Sequence, residues 1–352
     1  MLTEHKGEMI FIGFSMVLYL IMAAFDASQK FVYLAVLFGL FGLVIAWKLF
    51  ESVDDEPAGN EKMTEIADAI HEGAMVFLAR EYKILGYFMA AIFLLLLILI
   101  TVQSGFWMGL WTAVSYAVGA GCSMLAGYLG VNAATTSGVR ISQAALEGGQ
   151  AKALNIAFNG GAVMGLCVAS LGLIGVGGLF TLFGRGDSIG VISGFAMGAS
   201  SIALFARVGG GIYTKTAGVG SDIVSKEEAG IQEDDPRNPG VIADNVGGCV
   251  GDTAGLGADI FESYCGSMIA TIVIGAGMAT MQFEYMALPI LVAMVGLVSS
   301  VLGIRAMTAL GSMDPSDALR NCTFISAGAM LFATFFLIKV MGLPSGVFVA
   351  LM

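Results

Sequence analysis

Long runs of apolar residues recur along the chain. The clearest, 84–102, contains no charged residue, and its length is close to the roughly 20 residues that a helix needs to cross about 30 Å of hydrocarbon. Further spans are predicted at 9–25, 31–47, 106–129, 157–183, 189–206, 255–281, 286–309 and 325–340. The pattern therefore predicts an all-α, polytopic transmembrane bundle of about nine helices.

Polar positions return between these spans in two distinctive segments. Residues 51–82 begin as a polar loop and become an amphipathic helix with Met63, Ile66 and Ile70 on one side, which extends the following span out of the membrane. In the segment 207–267, charges recur at helical intervals on both sides of the sequence DDPRNP. We expect two helices that project from the membrane and flank this loop, within a single membrane domain of residues 1–352.

Composition agrees with a membrane protein and excludes some other classes. Charged residues make up 12% of the chain and hydrophobic residues 57%, whereas soluble domains average about 25% charged residues. The net charge of −11 argues against a nucleic-acid partner, because phosphate binding requires a basic surface. The five cysteines lack metal-ligand spacing and lie mostly in apolar stretches, so buried thiols are expected.

The distribution of basic residues predicts the orientation. If residues 1–8 are inside, the segments on that side hold every Lys and Arg except Lys30, Arg185 and Lys339. The positive-inside rule makes this face, with the segment 207–254, cytoplasmic, as in a multi-pass protein of a bacterial-type inner membrane. The span 9–25 could instead be a signal peptide, but the preceding MLTEHKGE is hardly basic, so we favour a retained first helix.

Two columns of polar residues follow from the helical spacing. On the first projecting helix, positions three or four apart form one face: Arg207, Gly211, Lys215, Gly218, Asp222 and Lys226. On the second, the positions spaced by one helical turn are Asp244, Gly248 and Asp252, and the same side continues through Asp259, Glu262 and Ser263. The two columns run from the cytoplasm into the bilayer.

The residue types in these columns suggest a ligand and a path. Stacked carboxylates repel unless a cation lies between them, and Mg²⁺ is usually held by a few carboxylates together with water and substrate phosphates. Lys215 and Lys226 could contact phosphate oxygens. Asp259 and Glu262 lie deeper, where ionisable groups usually mark an ion or proton path, with Arg207 as a counter-charge. The sequence suggests hydrolysis at the cytoplasmic end and ion passage below it.

A solvated acidic loop at 214–240 is the alternative interpretation. It suits Glu227, Glu228, Asp234 and Asp235 taken singly. It explains Asp244, Asp252 and Asp259 poorly, because their spacing follows a helix that enters the membrane, so a functional role is preferred for those three.

Five sequence blocks in this region resemble those of the ion-pumping, membrane-bound inorganic pyrophosphatases. They are GGGIYTKTA, SDIVSK, EDDPRNP, IADNVG and VGDTAGLGADIFESY, and they occur in the family's order. The resemblance extends more loosely to GNEKMTEIADAIHEGAMVFLAREY, so it covers nearly the whole chain.

The resemblance implies roles for particular residues. Those that would bind magnesium pyrophosphate are Lys215, Asp222, Lys226, Glu233 and Asp244. Asp252 would be one of two aspartates that hold the attacking water, with Asp244 beside it in the catalytic site. The ion gate would consist of Arg207, Asp259, Glu262 and Ser263. Glu262, with Gly266 one turn on, is similar to the sodium-pumping or potassium-dependent branch. The family also implies a homodimer and K⁺ and Na⁺ as activators.

This chain departs from the family pattern in three places. It has Gly218 and Gly248 where the family has aspartates that bind metal or substrate. The resemblance is to the N-terminal half of the family, whose second half supplies more acidic motifs and the other water-holding aspartate. Loss of two carboxylates should weaken magnesium binding severely.

Two hypotheses of different classes follow. The first is the N-terminal half of a pyrophosphatase that couples hydrolysis of pyrophosphate to export of sodium ions or protons, impaired on its own. The second is a non-catalytic, truncated or degenerate relative, or a subunit that requires a separate second-half chain. An ion channel or secondary transporter ranks third, because it leaves the cytoplasmic acidic cluster unexplained.

Overall fold

The described part of the protein consists of long helices joined by short connections. The computed structural model describes residues 30–228, 230, 238, 240–311 and 313–351. The helices there are α1 (Lys30–Asp54), α2 (Glu61–Ser104), α3 (Phe106–Glu147), α4 (Gly149–Phe183), α5 (Gly190–Asp222), α6 (Gly240–Gly248), α7 (Leu256–Ala276), α8 (Gln282–Leu310), α9 (Pro315–Val340) and α10 (Ser345–Leu351).

Eight helices in this part are long and apolar enough to cross a membrane. They correspond to eight of the predicted spans, and the all-α, multi-pass prediction is confirmed. The predicted span 9–25 lies outside the described residues, as does most of the DDPRNP loop.

Local sequence explains where α2 begins and ends. The side chain of Asn60 accepts a hydrogen bond of 3.0 Å from the backbone N–H of Met63, which caps the first turn. At the other end Gly105, with φ +94°, is the single residue between α2 and α3. With 44 residues, α2 is about 66 Å long and exceeds the thickness of a bilayer, as its amphipathic first half predicts.

Two π-helical segments interrupt the α-helical geometry. The first, Ile223–Glu228, continues α5, and the second, Cys249–Gly255, joins α6 to α7. A π-helix has i→i+5 hydrogen bonds, so each residue turns less about the axis than in an α-helix. The projecting helices are therefore present, but the second has a wide turn in its middle.

The apolar core lies around α4. Buried residues on this helix, such as Leu173, Val176 and Phe180, pack with α1, α7 and α8. Farther along the core, the rings of Phe195 on α5 and Phe261 on α7 lie with their centroids 6.0 Å apart. This core fixes α5 and α7 side by side, so the two polar columns are neighbours.

Candidate functional site

Small residues bring α5 into backbone contact with the π-helical segment Cys249–Gly255. A Cβ atom on Gly210 would lie 2.8 Å from the carbonyl oxygen of Val250. The hydroxyl of Thr214 donates a 2.7 Å hydrogen bond to the carbonyl oxygen of Gly247 and lies where a Cβ on Gly251 would point. Because no side chain separates the two backbones, residues on either helix can reach the same ligand.

The predicted site residues lie on these two helices. Arg207, Lys215, Gly218 and Asp222 are on α5, and Lys226 is on its π-helical extension. Asp244 and Gly248 are on α6, Asp252 is in the π-helical segment that follows, and Asp259, Glu262 and Ser263 are on α7. Glu233 lies outside the described residues.

At the predicted cytoplasmic end, Gly218 faces Asp244. A Cβ atom on Gly218 would lie 2.9 Å from the Oδ1 atom of Asp244, across the gap between α5 and α6. Gly248 points into open space, with nothing within 4 Å of the equivalent atom. Beside this pair, the Nζ atom of Lys226 lies 3.4 Å from the Oδ1 atom of Asp222. Aspartates at 218 and 244 would thus share one small volume.

At the deeper end, two polar pairs cross from α5 to α7. Arg207 forms an ion pair with Asp259, the carboxylate for which it is the predicted counter-charge. The hydroxyl of Ser200 donates a 2.5 Å hydrogen bond to the Oε1 atom of Glu262. Both carboxylates therefore have a partner on α5.

The structure does not gather all of the predicted ligands into one cluster. Across the described ranges, no group of three or more Asp, Glu, His or Cys side chains is placed to hold a metal ion. Asp252 is exposed and lies within the π-helical segment that follows α6.

The sequence reasoning missed two residues of α5 that contact the second helix. Ser200, the partner of Glu262, is seven residues before Arg207, so it lies on the same helical face and periodicity could have identified it. Thr214 is adjacent to Lys215 and faces the neighbouring backbone. Its role depends on Gly247 and Gly251, which only the packing brings next to it.

A third missed residue is Glu81 on α2. Both of its carboxylate oxygens are buried, and neither has a hydrogen-bond partner among the described residues. Its Oε1 atom lies 2.6 Å from the position of a Cβ on Gly209, so the carboxylate fills the space that this glycine leaves on α5. A charged group in a long apolar helix is a signal that the sequence does contain.

Comparison with known proteins identifies relatives over most of this chain. The model of the family "Inorganic H+ pyrophosphatase" matches residues 40–352. A putative K⁺-stimulated pyrophosphate-energized sodium pump of Clostridium tetani is 45% identical over 297 residues, covering 84% of this chain and 42% of that protein. A K⁺-insensitive pyrophosphate-energized proton pump of Caldanaerobacter subterraneus is 40% identical over 337 residues, covering 89% of this chain and 47% of that protein.

A K⁺-insensitive pyrophosphate-energized proton pump of Methanosarcina mazei is 45% identical over 248 residues, or 70% of this chain and 36% of its own. The chain spans about half the length, or less, of these curated relatives. Their names include both a sodium pump and proton pumps, so similarity does not select the ion. Because the family model matches far more than half of its residues, this chain belongs to the inorganic H⁺ pyrophosphatase family.

Proposed function

We propose that this chain provides part of the pyrophosphate site and the ion gate of a membrane pyrophosphatase, which hydrolyses pyrophosphate and exports sodium ions or protons. The observation that carries the proposal is the order of the polar groups along α5 and along the neighbouring helix formed by α6, the π-helical segment and α7. Gly218, which faces Asp244, lies at one end together with the Asp222–Lys226 pair. The Arg207–Asp259 ion pair lies deeper. Hydrolysis and ion passage would thus share two helices.

The exposed lysines suit the substrate. Lys215 and Lys226 carry positive charge on the face of α5 and its extension, where they could contact phosphate oxygens. The half-buried carboxylates Asp222 and Asp244 and the exposed Asp252 would hold Mg²⁺, together with Glu233. Mg²⁺ is commonly bound by one or two carboxylates together with substrate phosphates, so a three-carboxylate cage is not required for the fit.

Bound Mg²⁺ would neutralise charge on the phosphates. The chain's own contribution to hydrolysis would be to position the water that attacks phosphorus and to accept its proton. We assign this general-base role to Asp252, with Asp244 beside it, because a carboxylate within reach of the water can take a proton without forming a covalent phosphoenzyme. Activation by K⁺ or Na⁺ stays a prediction.

The deeper pairs suit a gate. Arg207 neutralises Asp259, and Ser200 donates to Glu262, so neither carboxylate is left without a partner in the apolar layer. A cation that passes must take the place of one of these donors. Ser263, exposed on the next position of α7, would complete the gate.

A second candidate function is supported by Gly218 and Gly248. Without aspartates at these positions, the chain would bind magnesium phosphate weakly and act as a non-catalytic relative, or it would need a separate second-half chain. A homodimer is a further prediction from the family. Glycine at 218 adds no carboxylate opposite Asp244, which is the observation in favour of this candidate.

The test is magnesium-dependent release of phosphate from pyrophosphate by membranes that contain this chain. The unmodified chain is compared with the double variant Gly218→Asp, Gly248→Asp, and Asp252→Asn is introduced into each as the inactive control. Activity that Asp252→Asn abolishes would support the catalytic proposal. Activity only in the double variant would assign the defect to the two glycines.

If neither form is active, a second experiment distinguishes the two candidate functions. In it, the chain is co-expressed with the C-terminal half of the Clostridium tetani relative. Restored release that depends on Asp252 would support the proposal for a two-chain enzyme. No release in that experiment, with both chains present in the membrane, would contradict a catalytic role and favour the non-catalytic candidate.

A further inference from the structure

A groove between α1, α4 and α8 lies outside the site described above. Its volume is about 570 Å³. One end is lined by apolar side chains that include Phe41, Val44 and Ile304. The other end carries the basic residues Lys48 and Arg305.

Arg305 has no counter-charge in the part of the chain that the structure describes. Its guanidinium makes no ion pair and no side-chain hydrogen bond with any residue in the described ranges. The acidic residue of the adjoining cavity, Glu56, is already paired with Lys152 at 2.7 Å. A guanidinium presents five donors in a planar fork that matches phosphate oxygens, so an unpaired arginine here favours an anionic ligand.

Uncharged polar groups continue from Arg305 toward the cytoplasm. Ser52, Asn159 and Thr308 line both this groove and a neighbouring cavity of about 450 Å³. Within the described part of the chain, none of their side-chain polar atoms makes a hydrogen bond. The neighbouring cavity therefore offers hydroxyl and amide groups to the polar end of a ligand whose negative charge lies at Arg305.

The depth of the groove matches the edge of the membrane. Lys48 follows the predicted span 31–47, and Arg305 is one turn before the end of the span 286–309. Trp47 is 64% exposed beside Lys48, and its indole N–H donates a 2.7 Å hydrogen bond to Glu51. Exposed tryptophans of this kind mark the level of lipid headgroups. The apolar end of the groove thus points into hydrocarbon and the basic end lies at the interface.

We propose that this groove binds an anionic phospholipid, with its phosphate at Arg305, its polar headgroup in the cavity beside Ser52, Asn159 and Thr308, and an acyl chain along Phe41, Val44 and Ile304. Basic pockets between membrane helices on the cytoplasmic side are a recurring form of lipid recognition. The site lies apart from the polar columns of α5 and α7 and goes beyond the proposed function.

The experiment is native mass spectrometry of the detergent-purified chain after addition of phosphatidylglycerol or phosphatidylcholine. The proposal predicts retention of phosphatidylglycerol, and Arg305→Gln should weaken it about fivefold. Arg305→Lys should retain most of the binding. The matched control is Arg320→Gln, because Arg320 is an exposed arginine already paired with Asp317 at 2.6 Å.

A second variant separates a lipid from free phosphate. Val44→Trp fills the apolar end and leaves Arg305 in place, so it should reduce phosphatidylglycerol binding, and inorganic phosphate should not displace the bound lipid. Displacement by phosphate together with an unchanged Val44→Trp variant would overturn the proposal in favour of a small-anion site.

Equal retention of both lipids, or no effect of Arg305→Gln, would also overturn it. A third result would overturn the proposal: no lipid is bound, and the cysteine of Arg305→Cys is protected from a water-soluble thiol reagent. Another protein segment would then occupy the groove. None of these readouts depends on pyrophosphate hydrolysis, so failure here is distinguishable from failure of the proposed function.

Discussion

At the scale of single residues, position 218, opposite Asp244, controls how much negative charge the predicted cytoplasmic end can hold. Glycine at 218 leaves room beside the Oδ1 atom of Asp244, and glycine at 248 leaves open space. The two sites are therefore not equivalent. An aspartate at 218 must share its volume with Asp244, whereas one at 248 need not.

Gly218→Asp should make the stability of the protein depend on magnesium. Without a cation the new carboxylate repels Asp244 and the melting temperature should fall, and millimolar Mg²⁺ should reverse the fall, because an ion that binds only the folded state stabilises it. Thermal unfolding in detergent with and without Mg²⁺ measures this effect. Gly218→Asn, similar in size but uncharged, is the control, and an equal response of both variants to Mg²⁺ would contradict the prediction.

Glu81 permits a prediction about buried charge. A carboxyl group without a hydrogen-bond partner destabilises the fold by about 1 to 3 kcal/mol, and Gln has nearly the same shape without the charge. Glu81→Gln should raise the melting temperature by about 2 °C or more. The matched control is Glu72→Gln on the exposed side of the same helix. A lower melting temperature for Glu81→Gln alone would mean that the carboxylate has a cationic partner.

At the scale of elements, the pairing of α5 with its neighbour depends on a few positions where a side chain would not fit. Gly210 faces the backbone of Val250, whereas the next residue, Gly211, has nothing within 4 Å. Adjacent glycines on one helix thus have opposite structural roles.

Gly210→Ala should destabilise the protein by about 1 to 3 kcal/mol, because its methyl group forces two backbones apart. Gly211→Ala should instead stabilise it by up to about 1 kcal/mol, because alanine favours the helix and meets no neighbour. Thermal unfolding of the two single variants checks both signs. Equal effects would show that the close contact at Gly210 does not limit stability.

The elements themselves were largely predictable, because long apolar runs leave few alternatives to membrane helices. The spans at 84–102 and 106–129 lie within α2 and α3. The Arg207–Asp259 pair followed from equal depth on neighbouring helices. The π-helical segments were not predictable, because their hydrogen-bond pattern depends on packing against α5 and has no local residue signature. The positions of Ser200 and Gly247 opposite their partners likewise depend on how the helices meet.

At the scale of the whole molecule, α2 connects the two faces of the bundle. Lys62 lies near its first turn and Gln103 near its last, and both are exposed. In intact cells, Gln103→Cys should react with a membrane-impermeant thiol reagent, and Lys62→Cys should react only after permeabilisation, because the positive-inside rule places it in the cytoplasm. The reverse pattern would mean that the topology is inverted. The unmodified chain, with its five native cysteines, gives the background labelling.

The π-helical segment between α6 and α7 also has a genetic consequence. Loss of one codon within 249–255 could be absorbed by a return to α-helical hydrogen bonding, because six α-helical residues turn about as far around the axis as seven π-helical residues. Asp259 and Glu262 would then still face Arg207 and Ser200, and the membrane span would keep its length. A one-residue in-frame deletion at this place should therefore yield a protein that inserts normally and keeps the alignment between its two ends, whereas the same deletion in an α-helical part of the column would rotate all that follows by about 100°.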